Sequence, residues 1–237
     1  VEGIATISAG TSNNVTLDQA SNDFTDDVRV TGMNVELVDT NALVLGTSDI
    51  NGTYAVTAGG HITDDGALDV EGIATISAGT SNNVTLDNAS NDFTDDVRVT
   101  GMNVELVDAN AIILGTSDVN GTYAVTATAG GDITDDGALD IDGNSTFTAA
   151  SGRNITLDYS THTFDGTVTF AAASGNLANV TVTDSSAHIL QALNITGDLS
   201  VTAGGHITDG GVLDIDGITT ISAGTSNNVT LDNASND

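Results

Sequence analysis

Paired aspartates are the residues in this chain best suited to chemistry. Asp26-Asp27 and Asp64-Asp65 return in a second copy as Asp95-Asp96 and Asp135-Asp136. Adjacent carboxylates with turn carbonyls beside them are the donors that Ca²⁺ collects, at about six to eight oxygens per ion. These eight aspartates are therefore the candidate calcium ligands, and Ca²⁺ is the only cofactor the sequence suggests. The competing reading is a solvated acidic face that keeps the molecule soluble and discourages aggregation. No EF-hand loop and no GGxGxDxUx run is present, and a third copy carries Asp165-Gly166 and Asp209-Gly210 in place of two pairs. The solvated face is the favoured reading.

The histidines and arginines offer little else. His61 and His206 occupy equivalent positions, but the same position in the second copy is Asp132. A catalytic or metal role would not tolerate that exchange. His162 and His188 show no partner pattern. Arg29 and Arg98 are copies of one position, and Arg153 stands apart. A β-helical polysaccharide lyase or hydrolase needs one cleft with distinct acids, bases and sugar-stacking aromatics. Repeated, near-identical segments leave no such unique site, so no catalytic residue is assigned and an enzyme is disfavoured.

Asn14, Asn34, Asn83, Asn103, Asn154 and Asn228 each precede an aliphatic residue. They read as corner residues, tolerant of left-handed backbone, whose amides bond to neighbouring segments. Several also fit the glycosylation sequon, a coincidence expected where Asn and Thr are this common.

The elements that position these residues follow from composition and repetition. The 237 residues include 33 acidic and 3 basic side chains, for a net charge of -30. That charge opposes nucleic acid and anionic membrane partners. No stretch of about 18 apolar residues could cross a bilayer as a helix. Hydrophobic residues make up 39% and aromatics 3%, which implies a thin aliphatic core. Richness in Val, Ile and Thr argues for strands rather than acidic disorder.

Residues 1–69 return almost unchanged as 70–140, then as a diverged copy at 141–214, and 215–237 begin a fourth. The array starts and stops in mid-period, so the chain reads as an excerpt of a longer protein. Each copy divides into three β-rich runs separated by small residues and Gly. Alternation puts Ala5, Ile7 and Ala9, then Val28 and Val30, then Tyr54, Val56 and Ala58 on one inward parity. Pro, which would delete a ladder donor, is absent. The expected fold is all-β: one continuous parallel β-solenoid of about ten coils, each of roughly 20–31 residues, three to a repeat. The alternative is a tandem β-sandwich array. Gly59-Gly60, Gly130-Gly131, Gly204-Gly205, Asn51-Gly52 and Asn120-Gly121 are expected at turns with positive φ.

The phrases NNVTLDNASNDF, AGGHITDDGALDVEG and VRVTGMNVELVDTNALVLGTS resemble the repeats of large bacterial exoproteins related to the filamentous haemagglutinins. That resemblance implies a right-handed parallel β-helix, export from a Gram-negative cell through an outer-membrane partner, and an extracellular or cell-surface location. It also implies use as a secreted adhesin or surface fibre. The expected function is a structural stalk giving length and stiffness. Its partners would be neighbouring repeats, further copies in a filament, and a host or cell-surface ligand met elsewhere. A self-assembling sheath or biofilm-matrix filament is the alternative. Binding through flat Thr-rich faces, as in ice-binding solenoids, is disfavoured because Asp, Asn and Arg interrupt them. If any segment makes a specific contact, the loop near Ala171–Asn179 is the candidate, against a tolerated insertion.

Overall fold

Short aliphatic–polar–aliphatic runs build the molecule, and each turns its flanking residues inward. In the computed structural model, which describes residues 1–237, the first copy folds into nine strands. These are β1 (Ala5–Ser8), β2 (Val15–Leu17), β3 (Val28–Gly32), β4 (Val35–Asp39), β5 (Leu43–Leu45), β6 (Ser48–Ile50), β7 (Tyr54–Ala58), β8 (Ile62–Asp64) and β9 (Leu68–Val70). Val28 and Val30 are buried while Arg29 between them is exposed; Tyr54, Val56 and Ala58 are buried on the same parity. Phe147, Val168, Phe170, Leu199 and Val201 follow it in the third copy. Ile7 and Ala9 are half-buried on the same parity.

Every strand pairing is parallel, as between β2 and β4, β4 and β7, and β3 and β6. A sandwich array would need antiparallel pairs, so the chain is a parallel β-solenoid. Two broad faces enclose one core of 54 buried residues. One face holds β1, β3, β5, β6, β8 and β9; the other holds β2, β4 and β7. At about 4.8 Å per coil, about 11 turns make a rod on the order of 50 Å long.

The total agrees closely with the expected ten or so coils, while the coil lengths and the turns per copy differ from expectation. Partners in adjacent coils are 17 residues apart at Val28 and Leu45 and 25 apart at Ile155 and Val180. No coil is as long as 31 residues, and the long run Phe164–Asn194 is shared among successive turns. Within the first copy the chain crosses face to face in seven arcs: β1, β2, β3, β4, β5 with β6, β7, and β8 with β9. Two arcs make one turn, so a copy occupies three and a half turns rather than three coils.

An odd number of arcs reverses the faces. The segment Val28–Gly32 lies in the first face, whereas its second-copy equivalent Val97–Gly101 lies in the other. The third-copy equivalent, Val168–Ala172, returns to the first face, seven turns on from β3. The stacked series Val28–Leu45 and Leu43–Ile62–Val84–Val104–Tyr123–Ser145–Val168 traces those seven steps. β3 meets β5 at Val28–Leu45 and β6 at Thr31–Asp49, so the later coil carries one extra residue around Gly46-Thr47.

The turn glycines serve mainly closeness. Of the five expected Gly turns, only Gly130 has a positive φ, at 92°. A Cβ at Gly131 would stand 2.1 Å from the backbone nitrogen of Ala111 in the neighbouring coil. Gly131→Ala should therefore lower stability by about 1–3 kcal/mol, measured as a drop in the thermal midpoint. Thr126→Val, on an outward position of the adjacent strand, should leave the midpoint unchanged.

Candidate functional site

The polar residues that could do chemistry are gathered at the corners between arcs, where they bond one coil to the next. Asp64 is the clearest case. Its carboxylate accepts the backbone N–H of Asp87 at 3.0 Å and of Asn88 at 3.3 Å, and the side-chain amide of Asn91 at 2.7 Å. Asn91 is fully buried, and its oxygen accepts the N–H of Leu68 at 2.9 Å. The clamp recurs with Asp209 and Asn236, at 2.8 Å. In the third copy His162 replaces Asn91. Its Nδ1 accepts the N–H of Leu139 at 2.9 Å, and its Nε2 lies 2.8 Å from Asp135 Oδ2, in contact without an aligned hydrogen bond. The bond to Leu139 assigns the neutral ring the Nε2–H tautomer.

The other paired aspartates have a different task. Asp27 is buried, and its Oδ2 is 2.6 Å from Nε of Arg29; Asp96 and Arg98 repeat the pair at the same distance. Asp26 and Asp95 accept the N–H of the residue that follows. Arg29 lies across Gly46, where a Cβ would stand 2.6 Å from its Cγ. The third copy changes all three positions together, to Thr167, Thr169 and Gln191. Without the arginine there is room for a side chain. In the second copy Asp136 shares a corner with Asp95, Asp96, Asp135 and Arg98. Burial first, then Asp96, raise its carboxyl above the usual range, against the pull of Arg98.

The candidate calcium ligands are engaged within the protein. No three acidic or histidine side chains converge where they could hold a metal ion. Asp64 and Asp135 accept N–H groups on both carboxylate oxygens, and Asp27 and Asp96 each commit one oxygen to an arginine. Asp65 meets the preceding coil through its backbone N–H, bonded to Leu45.

The corner asparagines form ladders. Asn14 Oδ1 accepts the N–H and amide of Asn34, whose own Oδ1 accepts the N–H and hydroxyl of Thr53. Asn83, Asn103 and Thr122 repeat this. Asn154 accepts the amide of Asn179 at 2.8 Å. No residue other than glycine has a positive φ, so these asparagines act through their amides and not through left-handed backbone. His61 Nδ1 accepts the N–H of Asn83, His206 Nδ1 that of Asn228, and Asp132 Oδ1 that of Asn154, each at 2.9 Å. Any acceptor serves here, which explains why Asp can replace His.

Two buried groups have partners that the sequence does not announce. His188 Nδ1 is 3.0 Å from Asp184 Oδ2 with both side chains buried, and its Nε2 has no partner. It replaces Leu43 and Ile112 of the earlier copies. Aligning the third copy on the second places it at an inward, apolar position, and places His162 at that of Asn91. Asp108 accepts the N–H of Phe93 at 2.8 Å and of Asn110 at 2.5 Å. Burial still outweighs those bonds and pushes its carboxyl from 3.8 up to about 6. In the segment Ala171–Asn179, Leu177 is buried and bridges to Ile195, and Ala178 donates its N–H to Arg153.

A family model described as Repeats of unknown function (DUF5649) matches residues 1–31, 32–100, 101–171 and 177–237. Neither a curated protein nor a solved structure matches the chain.

His162→Asn should preserve the thermal midpoint, because Asn91 and Asn236 do the same work, whereas His162→Ala should cost about 1–3 kcal/mol through unpaired buried groups. Chelation with EDTA should not move the midpoint. Between pH 4 and 6 the folded chain holds a proton on Asp108 that the unfolded chain releases, so stability should fall as pH rises through that window. The loss is on the order of 3 kcal/mol. Asp108→Asn should flatten that part of a denaturation-against-pH curve.

Proposed function

The chain belongs to the repeat family DUF5649, and we propose that it is a stiff stalk segment of a secreted bacterial surface adhesin or extracellular filament. One observation carries this reading: strand ladders run in register along both faces through all four copies. Such a rod resists bending because every coil is hydrogen-bonded to the next, and its length scales with copy number. The surface charge suits exposure to solvent. A net charge of -30 over about 50 Å approaches the linear density of duplex DNA, roughly one charge per 1.7 Å. Repetition favours a mechanical role over a catalytic one, since each copy offers the same groups again.

Deletion of copies separates a stalk from a self-assembling filament. Removing 70–140 should shorten the rod by about 17 Å, and removing two copies by about 34 Å, as read from electron micrographs of the purified full-length protein. A stalk should keep its adhesion at reduced reach. Filaments that grow by lateral or end-to-end association of the excised rod, and fail when a copy is lost, would sink the stalk reading in favour of a sheath or matrix filament.

A further inference from the structure

A shallow groove recurs at the same place in the first two copies, and a related groove lies one coil further on, where the third copy meets the fourth. Each runs along the rod axis between the asparagine corner and the first outward column of side chains. In the first copy Asn14, Asn34 and Thr53 face Thr16, Glu36 and Ala55 across it. In the second copy Asn83, Asn103 and Thr122 face Thr85, Glu105 and Ala124. The third groove has Asn179, Asp198 and Ile218 facing Thr181, Ser200 and Thr220, so it shares two coils with the equivalent site and takes its last coil from the fourth copy. Asn34 aligns with Asn103 and Asn179, and Ala55 with Ala124 and Ser200.

The lining selects a ligand class. Asn34 gives one amide hydrogen to Asn14, which leaves its second for an outside acceptor. Thr16 and Glu36 are exposed beside it. The groove thus offers donors and acceptors together, which is what a hydroxyl group needs, being both at once. Phosphate, sulfate and uronate chains are repelled by a net charge of -30. No aromatic or cationic side chain lines any of the three grooves.

We propose that this groove binds a segment of a neutral glycan chain, and that successive copies hold it on opposite sides of the rod. The first and third grooves lie on the face of β2, β4 and β7, and the second lies on the other face. One rod therefore bridges two glycan chains. Each groove is shallow and binds weakly, and repetition supplies the avidity. Such a site adds binding to a stalk and does not depend on that role.

Agglutination of beads coated with dextran, cellohexaose or chitohexaose tests both halves. The intact chain should agglutinate at least one of the three. Ala55→Gln, Ala124→Gln and Ser200→Gln fill the grooves from outward positions, and the triple variant should lose at least tenfold in titre with an unchanged melting curve. Ala124→Gln alone should abolish agglutination yet leave retention on a single coated surface, because only one face is blocked. Should the triple variant melt early, amide shifts of the intact chain on adding the soluble oligosaccharides should map to Asn34 and Asn103. No retention of the intact chain on any of the three glycans, undiminished agglutination by a well-folded triple variant, or shifts confined elsewhere would overturn the proposal.

Discussion

Backbone hydrogen bonding between coils is the interaction on which everything else depends. A coil of this size cannot satisfy its own N–H and C=O groups, so each must find partners in the coils before and after it. The chain makes 132 backbone–backbone hydrogen bonds, and 63 of them lie outside the regular strands, at turns and corners. The ladders therefore continue around the corners. That requirement forces parallel register, excludes proline and sets the spacing at which side chains stack. It also explains the glycines, since corners that bond coil to coil leave no room for a Cβ at Gly60 or Gly131.

Once register is fixed, the corner side chains have little freedom. An acceptor at position 61, 132 or 206 meets the N–H of Asn83, Asn154 or Asn228. Asp64, Asp135 and Asp209 reach across one coil to hold the next turn. Much of the acidity that suggests metal binding is thereby spent on the protein's own N–H donors. The rest is surface charge: Asp49, Asp69 and Asp92 stack in register, and burial, then Asp92 and Asp49, raise Asp69 above the usual range.

Inward and outward parity was legible in the sequence because a two-residue period is a local property. Val28, Tyr54 and Phe147 announce it without reference to any distant residue. The total of about ten coils was close to the observed 11 or so turns, but the division of each copy into three and a half turns was not legible. Leu43–Leu45 and Ser48–Ile50 look like separate runs, yet they share one arc around Gly46-Thr47 and cap a single five-residue strand. The role of Asp64 was hidden for another reason. Its partner Asn91 lies 27 residues away, and nothing short of the coil length brings the two together. His162 and His188 stand out in the sequence without a partner pattern, and their burial beside Asp135 and Asp184 follows from the stacking alone.

The face reversal between copies is the central claim, and spin-label distances test it most directly. Thr57, Thr126 and Thr202 are equivalent outward residues of the first three copies. Labels at Thr57 and Thr126 should lie on opposite faces, separated by about 17 Å along the rod and at least about 10 Å across it, hence about 20 Å or more. Labels at Thr57 and Thr202 should share a face at about 34 Å. A Thr57–Thr126 distance near 14 Å, three whole coils along one ladder, would contradict the seven-arc repeat and the two-sided rod built from it.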